Sequence, residues 1–82
     1  QCLAAAFSPE IELPIQSPQL GWAEQNPETW WEHIGIASRK VMQQSGVAPD
    51  AVKAIGVSYQ MHGLVLMDES YRVLRPSILW CD

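Results

Sequence analysis

"KAIGVSYQMHGLVLMD", Lys53 to Asp68, is the stretch whose reading decides the fold. Its first half is a near-continuous apolar run that follows the turn-forming "VAPD", Val47 to Asp50. That pattern predicts a strand over 53–59 covered on both faces, as in the parallel core of an α/β sheet. Gln60 and His62 then interrupt the apolar run, and "HGLVLMD", "ESYR" and "VLRPSILW" follow as strand, turn and strand. The second half therefore predicts a hairpin over 63–80.

Upstream of this stretch the punctuation is that of a helix over 27–45. Asn26 can cap free backbone N–H groups, Pro27 suits the first helical position, and Glu28 complements the positive end. Trp30, Ile34, Ala37 and Val41 recur at three- and four-residue spacing, which predicts one buried face. Gly46 stands where a left-handed cap would end the helix. Before it, "PIQSPQLGWAEQ" is rich in Pro and Gln without a period and reads as a loop. "CLAAAFSPEIEL" alternates through Leu3, Ala5, Phe7, Ile11 and Leu13 around Pro9, which predicts a strand over 2–13 at an edge or with a bulge. The order βαββ, without internal repeats, is an α/β arrangement.

Composition narrows the partners. The chain has 82 residues, 48% hydrophobic and 17% charged, enough for one small domain with little surplus stability. A net charge of -4 argues against a phosphate-backbone binder, because five scattered Lys and Arg cannot supply a basic face. No apolar run approaches the roughly 18 to 20 residues that span a bilayer, so neither nucleic acid nor membrane is the expected partner. Cys2 and Cys81 show no disulfide framework and read as free thiols of a reducing, cytoplasmic compartment. The start at Gln1 inside an apolar run, and the stop just after "ILWCD", read as a piece of a longer protein.

The candidates for chemistry are few. "GVSYQ" has Gln60 where the second glycine of a nucleophile elbow must stand, and a strand follows rather than a helix. Ser58 is therefore not expected to be a nucleophile. Cys2, His33, His62 and Cys81 lack the close pairing of structural zinc sites, and no metal site is expected. His33 reads as a surface histidine. Of the four tryptophans, Trp30 reads as core and Trp31 as a second packing surface, while Trp22 carries no assignment. Trp80 stands at a strand end beside Asp82, open to either packing or ligand stacking.

His62 alone is equally a satisfied buried histidine or a ligand contact. Its neighbours favour the second: Gln60 and His62 offer donors and acceptors at a strand end, and Gly63 leaves room for close approach. In open α/β sheets ligands bind at such carboxyl ends, where Tyr59 to His62 and Trp80 to Asp82 would lie. This is the composition of a sugar-hydroxyl site.

"GWAEQNPETWW" and "IGVSYQMHGLVLMDESYRVLRPSILWCD" together resemble the N-terminal domain of the FGGY carbohydrate kinases, most of all the branch acting on D-xylulose. The resemblance covers Leu20 to Asp82, with Gln1 to Leu13 matching the preceding strand more loosely. It implies a ribonuclease H-like, actin-like ATPase fold of two domains, with sugar and Mg-ATP meeting between them. The implied reaction moves the ATP γ-phosphoryl group to the 5-hydroxyl of D-xylulose, giving D-xylulose 5-phosphate.

Carried over by position, Met61 and His62 match the sugar-binding dipeptide, and Trp80 and Asp82 match positions near the same pocket. Gln60 matches the motif without an assigned contact. The phosphate-binding turn would precede Gln1 and the catalytic Asp would follow Asp82, so no catalytic or ATP-binding residue is expected here. ATP and Mg²⁺ would belong to the parent, whose partners are a pentulose and the rest of its own chain; the family pattern also allows a homodimer. Two family strands would likewise precede Gln1, which would leave this piece with unpaired edges and exposed apolar surface.

Tyr59 departs from the glycine usual before "QMHG", so ribulose, gluconate, glycerol or another polyol stays open as substrate. The competing class is a non-catalytic α/β fragment that binds sugar or a protein partner without turnover.

Overall fold

The computed structural model describes residues 1–82. Its largest element is the helix α1, Pro27–Ser45, with the bounds that the capping residues predict. The Asn26 side chain accepts a hydrogen bond from the Glu28 N–H at 3.0 Å. At the other end Gly46 takes φ 67° and donates its N–H to the Met42 carbonyl at 3.1 Å. That left-handed conformation costs a residue with a Cβ and costs glycine little.

The sheet is small and lies partly where the sequence reads as loop. Strand β1 is Glu24–Gln25 and strand β2 is Ser77–Ile78, paired antiparallel with Glu24 opposite Ile78 and Gln25 opposite Ser77. Isolated antiparallel bridges extend the row on both sides, Gln16 to Glu24 and Leu64 to Ile78. The row therefore runs Gln16, Glu24, Ile78, Leu64, and every pairing in it is antiparallel. Between α1 and the sheet's last segment, Pro49–Ala51 forms one 3-10 turn.

Two expected strands are absent, and the reason is the same for both. The segment 2–13 contains no strand, and neither does 53–59. A strand is a set of hydrogen bonds to a neighbour, and neither run finds one within these residues. Ile55, Val57 and Tyr59 stay 84%, 76% and 77% exposed. The hairpin over 63–80 is present only as the bridges Leu64 to Ile78 and Met67 to Val73, closed by a turn at Asp68. Asp68 shapes that turn by accepting from the backbone N–H groups of Ser70 and Arg72 at 2.8 and 2.9 Å, and Tyr71 there has φ 62°.

Burial follows the sheet rather than the helix. The buried residues are Ala23, Glu24, Ser77 and Leu79, all in or beside β1 and β2. No residue of α1 is buried, so the apolar face that the spacing predicts lies open, with Ile34 56% exposed. Trp30, expected in the core, is half-buried and donates its indole N–H to Gln25 Oε1 at 3.0 Å. The Gln25 amide in turn donates to the carbonyls of Leu13 and Pro14, tying the first segment, β1 and α1 together. His33 is half-buried rather than exposed, with Nδ1 2.6 Å from the Ser8 hydroxyl. The Cα radius of gyration is 15.5 Å, against about 12 Å for a compact chain of this length. The apolar runs have their lengths and periods but lack the partners that would close a core.

Candidate functional site

The bridge from Leu64 to Ile78 positions the residues that the sequence singles out. Leu64 N–H donates to the Ile78 carbonyl at 2.9 Å and Ile78 N–H returns to the Leu64 carbonyl at 3.1 Å. In an antiparallel pair the residues before one partner and after the other leave the sheet at the same end. Met61 and His62, just before this bridge, and Trp80 to Asp82, just after it, therefore emerge together.

Each side has a local device that shapes its exit. Met61 and His62 form a turn, with His62 at φ 60° in the left-handed region, where histidine is tolerated better than most side chains. Across from it Asp82 is exposed, yet its Oδ1 accepts the Ala23 N–H at 2.7 Å. Asp82 N–H also donates to the Leu79 carbonyl at 3.0 Å, which turns the chain just after β2. One carboxylate oxygen is thus held by the backbone just before β1, and Oδ2 is left for another donor.

Met61 and Trp80 are 65% and 67% exposed, and His62 is exposed as well. Gln60 instead lines a groove of about 480 Å³ between α1 and the sheet, together with Trp30, Ile34, Tyr59, Gly63 and Ser77. Met61, His62, Trp80 and Asp82 are not among the residues lining that groove. The five residues thus share one end of the sheet, but Gln60 faces a different surface from the rest. Gly63 is not crowded: a Cβ there would meet Ile78 O, Gln60 Oε1 and Ser77 Oγ at 3.7 to 3.9 Å, ordinary contact distances.

Three residues that composition and spacing did not mark hold this end in place. Ser77 is fully buried and its hydroxyl donates to the Leu64 carbonyl at 2.9 Å. Glu24 is 4% exposed and its carboxylate accepts from the Arg75 guanidinium. The signal lay in "WAEQ" and "RPS", where a charge or a hydroxyl stands inside an otherwise apolar segment.

Arg72 is engaged by Asp68 and Arg75 by Glu24, while Lys40 and Lys53 donate to the carbonyls of Phe7 and Asp50. No group of three or more His, Cys, Asp or Glu side chains converges to hold a metal ion. Cys2 and Cys81 are free and exposed, and no helix is long and apolar enough to cross a membrane. What the end of the sheet does offer is an imidazole, a thioether, an indole and a carboxylate oxygen on short, backbone-anchored segments.

Residues 5–82 match the N-terminal domain of the FGGY family of carbohydrate kinases, and the chain belongs to that family. It is 42% identical over 71 residues to the xylulose kinase of Escherichia coli strain K12, an alignment covering 87% of this chain and 14% of that protein. Against the xylulose kinase of Bacillus subtilis strain 168 the identity is 41% over 69 residues, again 84% of this chain and 14% of the relative. A glycerol kinase of Thermococcus gammatolerans is 31% identical over 71 residues, with 87% and 14% covered. Among solved structures, one described as a xyloylose kinase from Brucella ovis superposes with a TM-score of 0.79 at 41% identity, over 87% of this chain and 15% of that one. The chain spans about 14% of the length of the curated relatives it matches.

Proposed function

We propose that this chain is the sugar-binding part of an ATP-dependent kinase that phosphorylates D-xylulose at its 5-hydroxyl to give D-xylulose 5-phosphate. The observation that carries the proposal is the shared exit of Met61, His62, Trp80 and Asp82 beside the Leu64 to Ile78 bridge, in a chain 42% identical to a xylulose kinase. The His62 imidazole would hydrogen-bond a sugar hydroxyl, and Met61 would supply a soft apolar wall. Trp80 would cover a carbon face of the sugar, with Asp82 Oδ2 and the Gln60 amide as further hydrogen-bonding groups. These groups orient the substrate, and orientation is what phosphoryl transfer chiefly demands of a protein.

ATP would supply the phosphoryl group from residues beyond this segment, with Mg²⁺ beside it. The parent would be a cytoplasmic enzyme of two ribonuclease H-like domains, in which this piece, the open α1 face and the run 53–59 are covered by the rest of the same chain. Light scattering of the full-length protein separates a homodimer from a monomer.

A second substrate class has a specific observation behind it. Tyr59 lines the groove beside Gln60, and a glycerol kinase matches nearly the same span at 31% identity. Ribulose, gluconate or glycerol would then replace D-xylulose. A coupled ADP-release assay of the full-length protein with D-xylulose, L-ribulose, gluconate and glycerol separates the readings. D-xylulose is expected to give the highest kcat/KM. His62→Ala is expected to raise the KM for the preferred sugar about tenfold, one lost buried hydrogen bond, and to leave the ATP KM unchanged. Unchanged sugar kinetics in the folded variant remove His62 from the site, and sugar binding without ADP release favours the non-catalytic class.

A further inference from the structure

Glu24 is the charged residue that this fold buries, and the sugar-binding residues proposed above give it no task. Its carboxylate meets Arg75, a half-buried residue just before β2 whose Nε also donates to the Pro76 carbonyl at 3.1 Å. The Glu24 backbone exchanges both hydrogen bonds with Gln16 at 2.8 Å each. Just before β1, Ala23 takes the Leu79 N–H on its carbonyl and gives its own N–H to Asp82. The ion pair therefore ties β1 to the segment entering β2, one residue along from the Ala23 bonds that hold Leu79 and Asp82.

The physical problem it answers is register. β1 and β2 are two residues each, so few ladder bonds resist a slip. A slip by one residue would carry Ala23 and Leu79 to the wrong face and release Asp82 from Ala23. A buried carboxylate with a single guanidinium partner penalises that slip, because Glu24 left alone is an uncompensated buried charge, whereas the partly exposed Arg75 returns to water. Apolar groups in the same places would stabilise the sheet as well, but would not choose among registers.

We propose that the Glu24–Arg75 pair is a positioning device: it sets the register of β1 on β2 and thereby aims Trp80 to Asp82, and through Ile78 and Leu64 the Met61–His62 turn, at the sugar. The proposal rests on the sugar-kinase reading of that end of the sheet. Neither residue of the pair touches the sugar.

The test uses the full-length protein, with Arg75→Met, Glu24→Gln and the apolar double variant Glu24→Leu/Arg75→Met. Sugar KM, ATP KM and kcat are measured beside amide hydrogen exchange at Ala23 and Leu79. Each single variant is expected to raise the sugar KM about tenfold with the ATP KM unchanged, a misplacement of binding groups rather than a loss of chemistry. Exchange at Ala23 and Leu79 is expected to quicken while the α1 amides keep their rates. The double variant regains folded yield but keeps the raised sugar KM. A double variant with wild-type sugar KM and wild-type protection overturns the proposal, since a merely stabilising pair is replaceable by apolar groups. If the wild type phosphorylates none of the four substrates, yet Arg75→Met quickens exchange at Ala23 and Leu79 alone, the register role stands and the sugar reading falls.

Discussion

The run 53–59 and the β1–β2 row are both apolar stretches punctuated by polar groups, and they end in opposite states. Ser77 and Leu79 are 0% and 3% exposed, whereas Ile55 and Val57 are 84% and 76% exposed. Hydrophobic content does not separate them, since "KAIGV" is as apolar as "PSIL". What separates them is a neighbour. β2 has β1 on one side and Leu64 on the other, while 53–59 has no strand beside it. Apolar pattern expresses a demand for burial, and hydrogen-bonded partners decide whether the demand is met.

The largest effect that would test this contrast is at Val57. If the run is covered in the full-length protein, Val57→Asp buries an unpaired charge and costs on the order of 4 kcal/mol or more, enough to lower folded yield sharply. If the run is open there as well, the same change stays within about 0.5 kcal/mol, as surface substitutions do. Thermal unfolding of the full-length variant reads the difference, and the covered outcome is expected. Leu79→Ala comes next. It empties a site that is already closed, and its expected cost is about 2–4 kcal/mol by chemical denaturation.

The same contrast explains what was legible in the sequence. Helix α1 was readable to its ends because its determinants are local: Asn26 caps Glu28 and Gly46 closes on Met42, all within a few residues. The turn at Asp68 was readable for the same reason. The strands were not. β1 lies in a stretch read as loop, because two residues are too few to show a period and its partner is more than fifty positions away. The strands expected over 2–13 and 53–59 carry the right alternation or apolarity, but a strand also needs a hydrogen-bonded neighbour, and these runs find none here. His62 and Trp80 were picked out by residue type and by a family pattern, and the bridge that brings them to one end supplies a geometry that no spacing encodes. Glu24 and Arg75 were missed because they stand 51 positions apart, and nothing local pairs them.

Smaller effects sharpen the comparison from the satisfied side. Ser77→Ala removes a buried hydroxyl that donates to the Leu64 carbonyl and leaves that acceptor with the Ile78 N–H alone. The expected loss is about 1–2 kcal/mol, with faster amide exchange at Leu64 and Ile78, the two residues of the bridge. An unchanged exchange rate would mean that the bridge stands without the hydroxyl, and that the exit of His62 and Trp80 is set elsewhere in the row.

The smallest expected effect lies in α1, whose open face makes it the intermediate case: formed, but not buried. Its local determinants should therefore account for a larger share of its stability than in a helix seated on a core. Asn26→Ala removes the side chain that accepts the Glu28 N–H, at an expected cost of about 1 kcal/mol. Ile34→Ala, on the face that the groove leaves 56% exposed, should cost less than that if the face is open, and about 2 kcal/mol or more if another segment of the full-length chain seats on it. The order of the two losses, measured side by side in the full-length protein, shows which of them governs α1. A larger loss at Ile34 than at Asn26 would place α1 with the covered run rather than with the free helix seen in these residues.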